Sequence, residues 1–293
     1  MARLAAVFGV LATLASADQT YRAEVEAWRS QREADLRAEG GWLSVAGLFW
    51  LKEGPNRFGS AKDNAIVLPD GSAPAVAGTL ELRGGKVTAR IEPGVEVTAD
   101  GKRVTSLELR PDTTGAPDVL KVGRSSLHVI VRGDRVGVRL KDPEAPTRRQ
   151  FTGLRWFPVK DEYRVSARFV AHPGPISIAV PNILGQVTEM PSPGYVTFTL
   201  QGRELRLDPV LEEPDAKELF FIFRDETAGH ESYPAGRFLY TALPPRDGTV
   251  VLDFNKAYSP PCAFTAFATC PLPPKQNRLP LRVEAGEMYA GHH

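Results

Sequence analysis

The stretch from Val251 to Glu287, VLDFNKAYSPPCAFTAFATCPLPPKQNRLPLRVEAGE, limits the fold more than any other part of the chain. Proline fixes φ and removes a backbone donor, so a segment this rich in it is neither ordinary helix nor central strand. It reads as a rigid, non-repetitive excursion, and on a β scaffold such excursions often carry function. Both cysteines lie in it, with a polar set made of Asp253, Asn255, Tyr258, Asn277, Arg278 and Glu287.

Composition narrows the class. With 293 residues the chain is long enough for two domains, and 26 Gly and 25 Pro call for the many turns of a mainly β protein. A formal net charge of +1 gives no general attraction to nucleic acid or to an anionic membrane. Residues 1–17 read as an export signal. Arg3 supplies the positive charge, Leu4 to Leu14 the apolar core, and Ala15-Ser16-Ala17 the cleavage site before Asp18. The apolar run is too short to span a bilayer comfortably, so a periplasmic or secreted protein without stable membrane insertion is expected.

Tyr21 to Glu39 is the one convincing helix, with Tyr21, Val25, Trp28 and Leu36 near one face. The apolar run Trp42 to Leu51 follows as a buried connector, so residues 18–53 form an N-terminal helix and linker. Core packing is the commoner role for Trp42 and Trp50. From 54 to 145, short strands alternate with turns such as Gly84-Gly85 and Gly133-Asp134, the pattern of a small β-sandwich. After a junction at Asp142 to Arg149, residues 146–293 resume with strands such as Tyr163–Ala171, Ile176–Val180 and Leu219–Arg224. No helical crossover lies between these runs, so an antiparallel barrel or sandwich is expected.

Chemistry is harder to read. Cys262 and Cys270 lie between prolines; in an exported protein the default is a disulfide, with structural thiols, a metal site or a nucleophile as alternatives. No CxxC or HxxxH spacing supports a metal. His230, with Ser232 and Asp225, lacks the G-x-S-x-G elbow of a hydrolase triad, and turn capping explains these residues better. Phosphate loops, dinucleotide fingerprints and calcium loops are absent, so no cofactor is expected. Asp225, Tyr233, Arg237, Asp253, Asn255, Tyr258, Asn277, Arg278 and Glu287 then compose the candidate ligand site. The competing account is an internal salt-bridge network that pins the proline loop. Arg237 is expected to pair with a carboxylate, and Arg278 to face the ligand.

Two resemblances accompany this reading. FGSAKDNAIVLPDGSAP, Phe58 to Pro74, and DGKRV, Asp100 to Val104, resemble the opening and the NGxxV turn of the forkhead-associated (FHA) fold. That family reads phosphothreonine with an arginine after the first glycine and a Ser-x-x-His. Here Ser60 follows Gly59, and Ser72 to Ala75 holds no histidine, so phosphothreonine binding is not expected. Phe223 to Arg237, then LDFNKAY-x-PPCAFT and CPLPPKQNRL ending in AGE, resembles a bacterial family catalogued as domain of unknown function 1684. Ser259 and Ser232 stand where its members usually carry asparagine and threonine. The resemblance implies no activity. An exported protein that binds a small or extended polar ligand is the first expectation; a hydrolase using the same cluster and a structural envelope protein are the alternatives.

Overall fold

The computed structural model describes residues 5–213, 215–289 and 291, with side chains from residue 19 onward. The export-signal reading of residues 1–17 rests on side chains outside the described residues. Among the described residues no helix is long and apolar enough to cross a membrane. Strand makes up 44% of the chain and helix 15%, so the protein is mainly β. It divides into two compact units. One comprises Leu36–Phe151 with Phe264–Ala268; the other comprises Met1–Asp35, Thr152–Ala263 and Thr269–His293.

The unit built on Leu36–Phe151 holds eleven strands. They are β1 (Val45–Trp50), β2 (Gly54–Gly59), β3 (Ile66–Val67), β4 (Gly78–Arg83), β5 (Lys86–Ile91), β6 (Val97–Ala99), β7 (Lys102–Arg103), β8 (Ser106–Leu109), β9 (Val119–Val122), β10 (Ser125–Arg132) and β11 (Arg135–Lys141). They form sheets of order β1-β11-β10-β9-β6-β7 and β3-β2-β4-β5-β8. Inward positions alternate along β4, and Phe58, Leu80, Val87, Leu120, Val129 and Val138 share one core. Gly84 and Gly85 both take positive φ, as a two-residue hairpin turn between β4 and β5 requires.

Two expectations change here. The run Trp42–Leu51 is not a buried connector: it contains β1, which pairs with β11. Trp42 and Trp50 are only half-buried, and each carries a guanidinium on its ring, Arg139 at 4.8 Å and Arg135 at 3.9 Å. Arginine stems cover apolar area while their heads reach water, a distinction that hydropathy does not make.

The second unit holds β12 (Arg155–Trp156), β13 (Arg164–Pro181), β14 (Val187–Leu200), β15 (Arg203–Leu207), β16 (Glu218–Phe223), β17 (Arg237–Ala242), β18 (Thr249–Asp253) and β19 (Glu287–Met288). Its main sheet has the order β15-β14-β13-β18, and β16 pairs with β17 and β12 with β19. Every pair in this unit is antiparallel, as expected. Val165, Val196, Phe198, Phe221, Leu252 and Phe254 pack one core. Helix α1 (Ala5–Arg37) belongs to this unit through Asp35. Tyr21 and Val25 are buried as the helical period requires, and they cluster with Val159.

His172-Pro173-Gly174-Pro175 does not break the strand. β13 runs through it with a register shift between Ala171 and Ile176, and β14 pairs on both sides. A bulge needs no ladder bond from its extra residues, which is why prolines fit there.

Candidate functional site

Eight of the nine candidate residues sort into three clusters, one of which borders a cavity, and Arg278 stands apart beside another. The first is closed. Arg237 is 0% exposed and sits at the start of β17, opposite Phe223. Its Nη2 donates to Asp225 Oδ1 at 2.9 Å and to the Val283 carbonyl at 2.9 Å, and its Nη1 donates to the Ala285 carbonyl. Asp225 Oδ2 accepts from the Thr227 amide, the Thr227 hydroxyl and the Val283 amide. Thr227 Oγ1 shares a hydrogen bond with Ser232 Oγ at 2.7 Å. A buried ion pair stands when most of its remaining donors and acceptors are satisfied, and here all but Arg237 Nε serve to hold the segment 283–285 and Thr227. The expected pairing of Arg237 with a carboxylate is met, as the salt-bridge account requires. Ser232 is spent on Thr227 and His230 is exposed, so no catalytic triad is assembled.

The second group consists of two buried asparagine clips. Asn255 Oδ1 accepts from the Lys160 amide and its Nδ2 donates to the Lys160 carbonyl, so the side chain imitates a strand edge. Asn277 does the same to the amide and carbonyl of Asp208 and donates also to the Ile222 carbonyl. Both amides are used up in joining chain segments. Tyr233 is structural too: its hydroxyl donates to the Cys262 carbonyl at 3.1 Å, and burial pushes the phenol up to about 12. Cys262 and Cys270 are both buried, and the Cys262 amide donates to the Cys270 sulfur at 3.1 Å. The expected disulfide is not shown here; the proximity of the two follows from the turn at Pro261–Ala263.

The third cluster is open. A cavity of about 560 Å³ lies between α1 and strands β17 and β18, with Trp28, Arg32, Tyr240, Asp253, Lys256 and Tyr258 on its walls. Tyr21, from about two turns before Trp28 in α1, donates to Asp253 Oδ1 at 2.7 Å and fixes that carboxylate. Lys256 answers Asp253 at 3.7 Å and Glu24 at 2.5 Å. Tyr240 stacks on Phe220 with centroids 4.6 Å apart, lies parallel to Tyr258, and donates its hydroxyl to Glu212 at 2.7 Å. Burial raises both phenols, that of Tyr258 to about 12, so both stay protonated donors at neutral pH.

Beneath this aromatic wall sits Glu287. Its side chain is 1% exposed, its polar neighbours are Ser259 and Arg32, and the Arg32 Nε stands 3.6 Å away. Burial lifts the carboxyl above the usual glutamate range, against the pull of Arg32. Arg32 in turn lays its guanidinium on the Tyr258 ring at 4.3 Å and donates to the Ser259 carbonyl at 2.9 Å. A planar guanidinium fixed this way is a fork for a carboxylate or phosphate.

Of the predicted residues, Asp253 and Tyr258 border this cavity, Glu287 lies behind it, and Asn255 anchors its floor. Arg237, Asp225, Tyr233 and Asn277 are elsewhere and occupied. Arg278 is exposed beside a different cavity. Sequence reasoning missed Arg32, Trp28 and Tyr240. Arg32 and Trp28 fall i, i+4 on the helix, and an aromatic–arginine pair on one helical face was the available signal.

The family described as "Protein of unknown function (DUF1684)" matches residues 149–288, and the chain belongs to it. The matched segment contains all three clusters except the α1 residues. No protein with a curated description matches the chain. Among solved structures, an uncharacterised protein of Haloarcula marismortui is similar at 34% identity, covering 50% of this chain and 82% of that one, with a TM-score of 0.42. The FhaA FHA domain, in complex with an intracellular partner domain, is 16% identical over 32% of this chain and 97% of its own, with a TM-score of 0.24. The FHA-2 domain of a Mycobacterium tuberculosis ABC transporter is 26% identical over 30% of this chain and 77% of its own, with a TM-score of 0.23.

Proposed function

We propose that the protein is an exported binding protein, and that its ligand is a small polar molecule with an anionic group seated between α1 and β17–β18. The observation that carries this reading is the Arg32–Glu287 pair. A guanidinium is held flat on Tyr258 at a cavity wall, beside a buried acid whose carboxyl is raised by burial. A protein that needed only stability would gain from replacing such an acid. Trp28 and Tyr240 offer ring faces for a flat or hydroxylated body. A calorimetric panel of carboxylates, sugar acids and sugar phosphates tests it. Saturable binding weakened at least tenfold in Arg32→Gln, and unchanged in Arg237-distant Arg278→Gln, is the expected result. No saturable binding across the panel overturns it.

A hydrolase remains the second reading, because a carboxyl held above its ordinary range suits a general acid. Turnover on an ester, glycoside and phosphoester panel, abolished by Glu287→Gln, would establish it. Export implies that material recovered from the periplasm begins near Asp18 by intact mass, and retained Met1 contradicts that. In an oxidising compartment Cys262 and Cys270 are proposed to form their bridge, read as resistance to alkylation before reduction. The FHA-like unit is not proposed to bind phosphothreonine: Ser60 gives its hydroxyl to the Ala73 carbonyl at 2.9 Å and carries no charge.

A further inference from the structure

β13 has two edges, and one of them is left open along a short apolar segment. β14 pairs with β13 from Arg168 to Pro181 on one side. On the other side β18 pairs only with Arg164 to Arg168. The Phe169 amide still donates to the Gly248 carbonyl at 2.7 Å; beyond it, among the described residues, no backbone bond joins this edge until the Leu272 amide donates to the Pro181 carbonyl at 2.7 Å. His172-Pro173-Gly174-Pro175 guards the first part of this gap, as prolines do at exposed edges. Ile176-Ser177-Ile178-Ala179-Val180 carries neither a proline nor a charge.

The direction of the backbone follows from that one bond. In an antiparallel ladder, residues alternately turn both polar groups toward the partner strand and both away from it. The Pro181 carbonyl points away from β14, toward Leu272, so Ser177 and Ala179 point the same way. Each therefore offers one N–H and one C=O along the open edge, and both residues are exposed. The chain's own loop begins to fill this edge at Pro271, bridged to Asn182, and at Leu272. It leaves where Pro273 and Pro274 remove the donors that would continue the pairing.

What remains is a cavity of about 720 Å³. Ile176, Ser177, Ile178, Ala179 and Pro181 all border it. Consecutive strand residues point to opposite faces, so a cavity touched by this whole run follows the backbone edge. Its far wall carries Lys275 and Arg278, and neither forms an ion pair among the described residues. Arg206 on the same wall is neutralised by Asp208, at 2.6 Å. Ile176 and Val187 are 43% and 61% exposed beside it.

We propose that this edge is a docking site for an extended peptide of a partner protein. The peptide adds as a strand to β13, with alternate apolar side chains toward Ile176, Ile178 and Val187 and an acidic side chain or terminal carboxylate on Arg278 and Lys275. Main-chain hydrogen bonds to Ser177 and Ala179 give affinity, and the two cations give direction and specificity. This site shares no wall residue with the cavity at Arg32.

A displayed library of random peptides with free C-termini, selected on the full chain, tests it. The expected outcome is enrichment of alternating β-branched and acidic sequences. Binding of a synthetic copy of the winner should fall at least tenfold in Ala179→Pro and in Arg278→Glu. Ala179→Pro leaves the β14 ladder intact, because its amide points outward, so an unchanged melting temperature shows that the variant is folded. An N-methylated copy of the peptide should also lose binding, since it cannot complete the strand. No enrichment, or enriched peptides that bind both variants as well as the parent chain, overturns the proposal. Binding to vesicles of one-quarter phosphatidylglycerol that is lost in Arg278→Glu, with no peptide enriched, overturns it in favour of a membrane surface.

Discussion

Two arginine–carboxylate pairs lie in the same unit, and they are built in opposite ways. Arg237 and Asp225 are both fully buried, and the bound groups around them are backbone amides, carbonyls and a hydroxyl from two chain segments, at Thr227 and at Val283–Ala285. Arg32 and Glu287 stand farther apart, at 3.6 Å, and burial holds the Glu287 carboxyl above the usual glutamate range. Arg237 is tied through both Nη atoms to Asp225 and to backbone carbonyls, with only its Nε unpartnered, and the pair is sealed inside the fold. The Arg32 pair stands at the wall of a cavity, and this exposure to a cavity, rather than the count of satisfied groups, sets the two apart.

The contrast is broken most forcefully at Arg237. Arg237→Gln leaves Asp225 buried without its countercharge and should cost about 3–5 kcal/mol in urea unfolding, close to the whole stability of many domains. A loss under about 1 kcal/mol would show that the network is dispensable. Next come the asparagine clips. Asn255→Ala and Asn277→Ala each strand a backbone amide and carbonyl, and each should cost about 2–4 kcal/mol by the same measurement.

The strand architecture was legible because period-two alternation and Gly turns report one-sided burial directly, as in β4 with its glycine turn into β5. β13 was split in sequence at His172-Pro173-Gly174-Pro175, since a bulge and a turn use the same residues. Much less of the site was legible. The conspicuous polar residues of the proline loop, Asn277 above all, are conspicuous because they hold the loop together, and a fully used amide looks no different in sequence from a ligand-facing one. Arg32 and Trp28 come from a helix more than two hundred residues upstream, and only tertiary packing brings them to Tyr258.

Smaller effects sharpen the comparison through pH. Burial raises the Glu287 carboxyl, so the folded state holds that proton more tightly than the unfolded chain. Its contribution is present below the unfolded value of about 4.3 and is lost as pH rises through the folded value. Glu287→Gln should remove that decline from the stability profile and leave neutral-pH stability equal or higher; a steeper decline would count against a protonated Glu287. His128 gives the opposite slope. Burial, then the charge of Arg139, lowers it to about 4, so its contribution is lost as pH falls from the ordinary histidine range through that value. His128→Gln should flatten the acid limb, read from melting temperatures between those limits.

The most direct measurement is urea unfolding of Arg32→Gln beside Arg237→Gln at neutral pH. Burial already favours the protonated Glu287 carboxyl when Arg32 is gone, whereas Asp225 loses the cation it pairs with when Arg237 is gone. The expected loss for Arg32→Gln is therefore about 1 kcal/mol, chiefly the hydrogen bond to the Ser259 carbonyl, against about 3–5 for Arg237→Gln. Equal losses would make the Arg32–Glu287 pair a second structural clasp and would contradict its assignment as the ligand site.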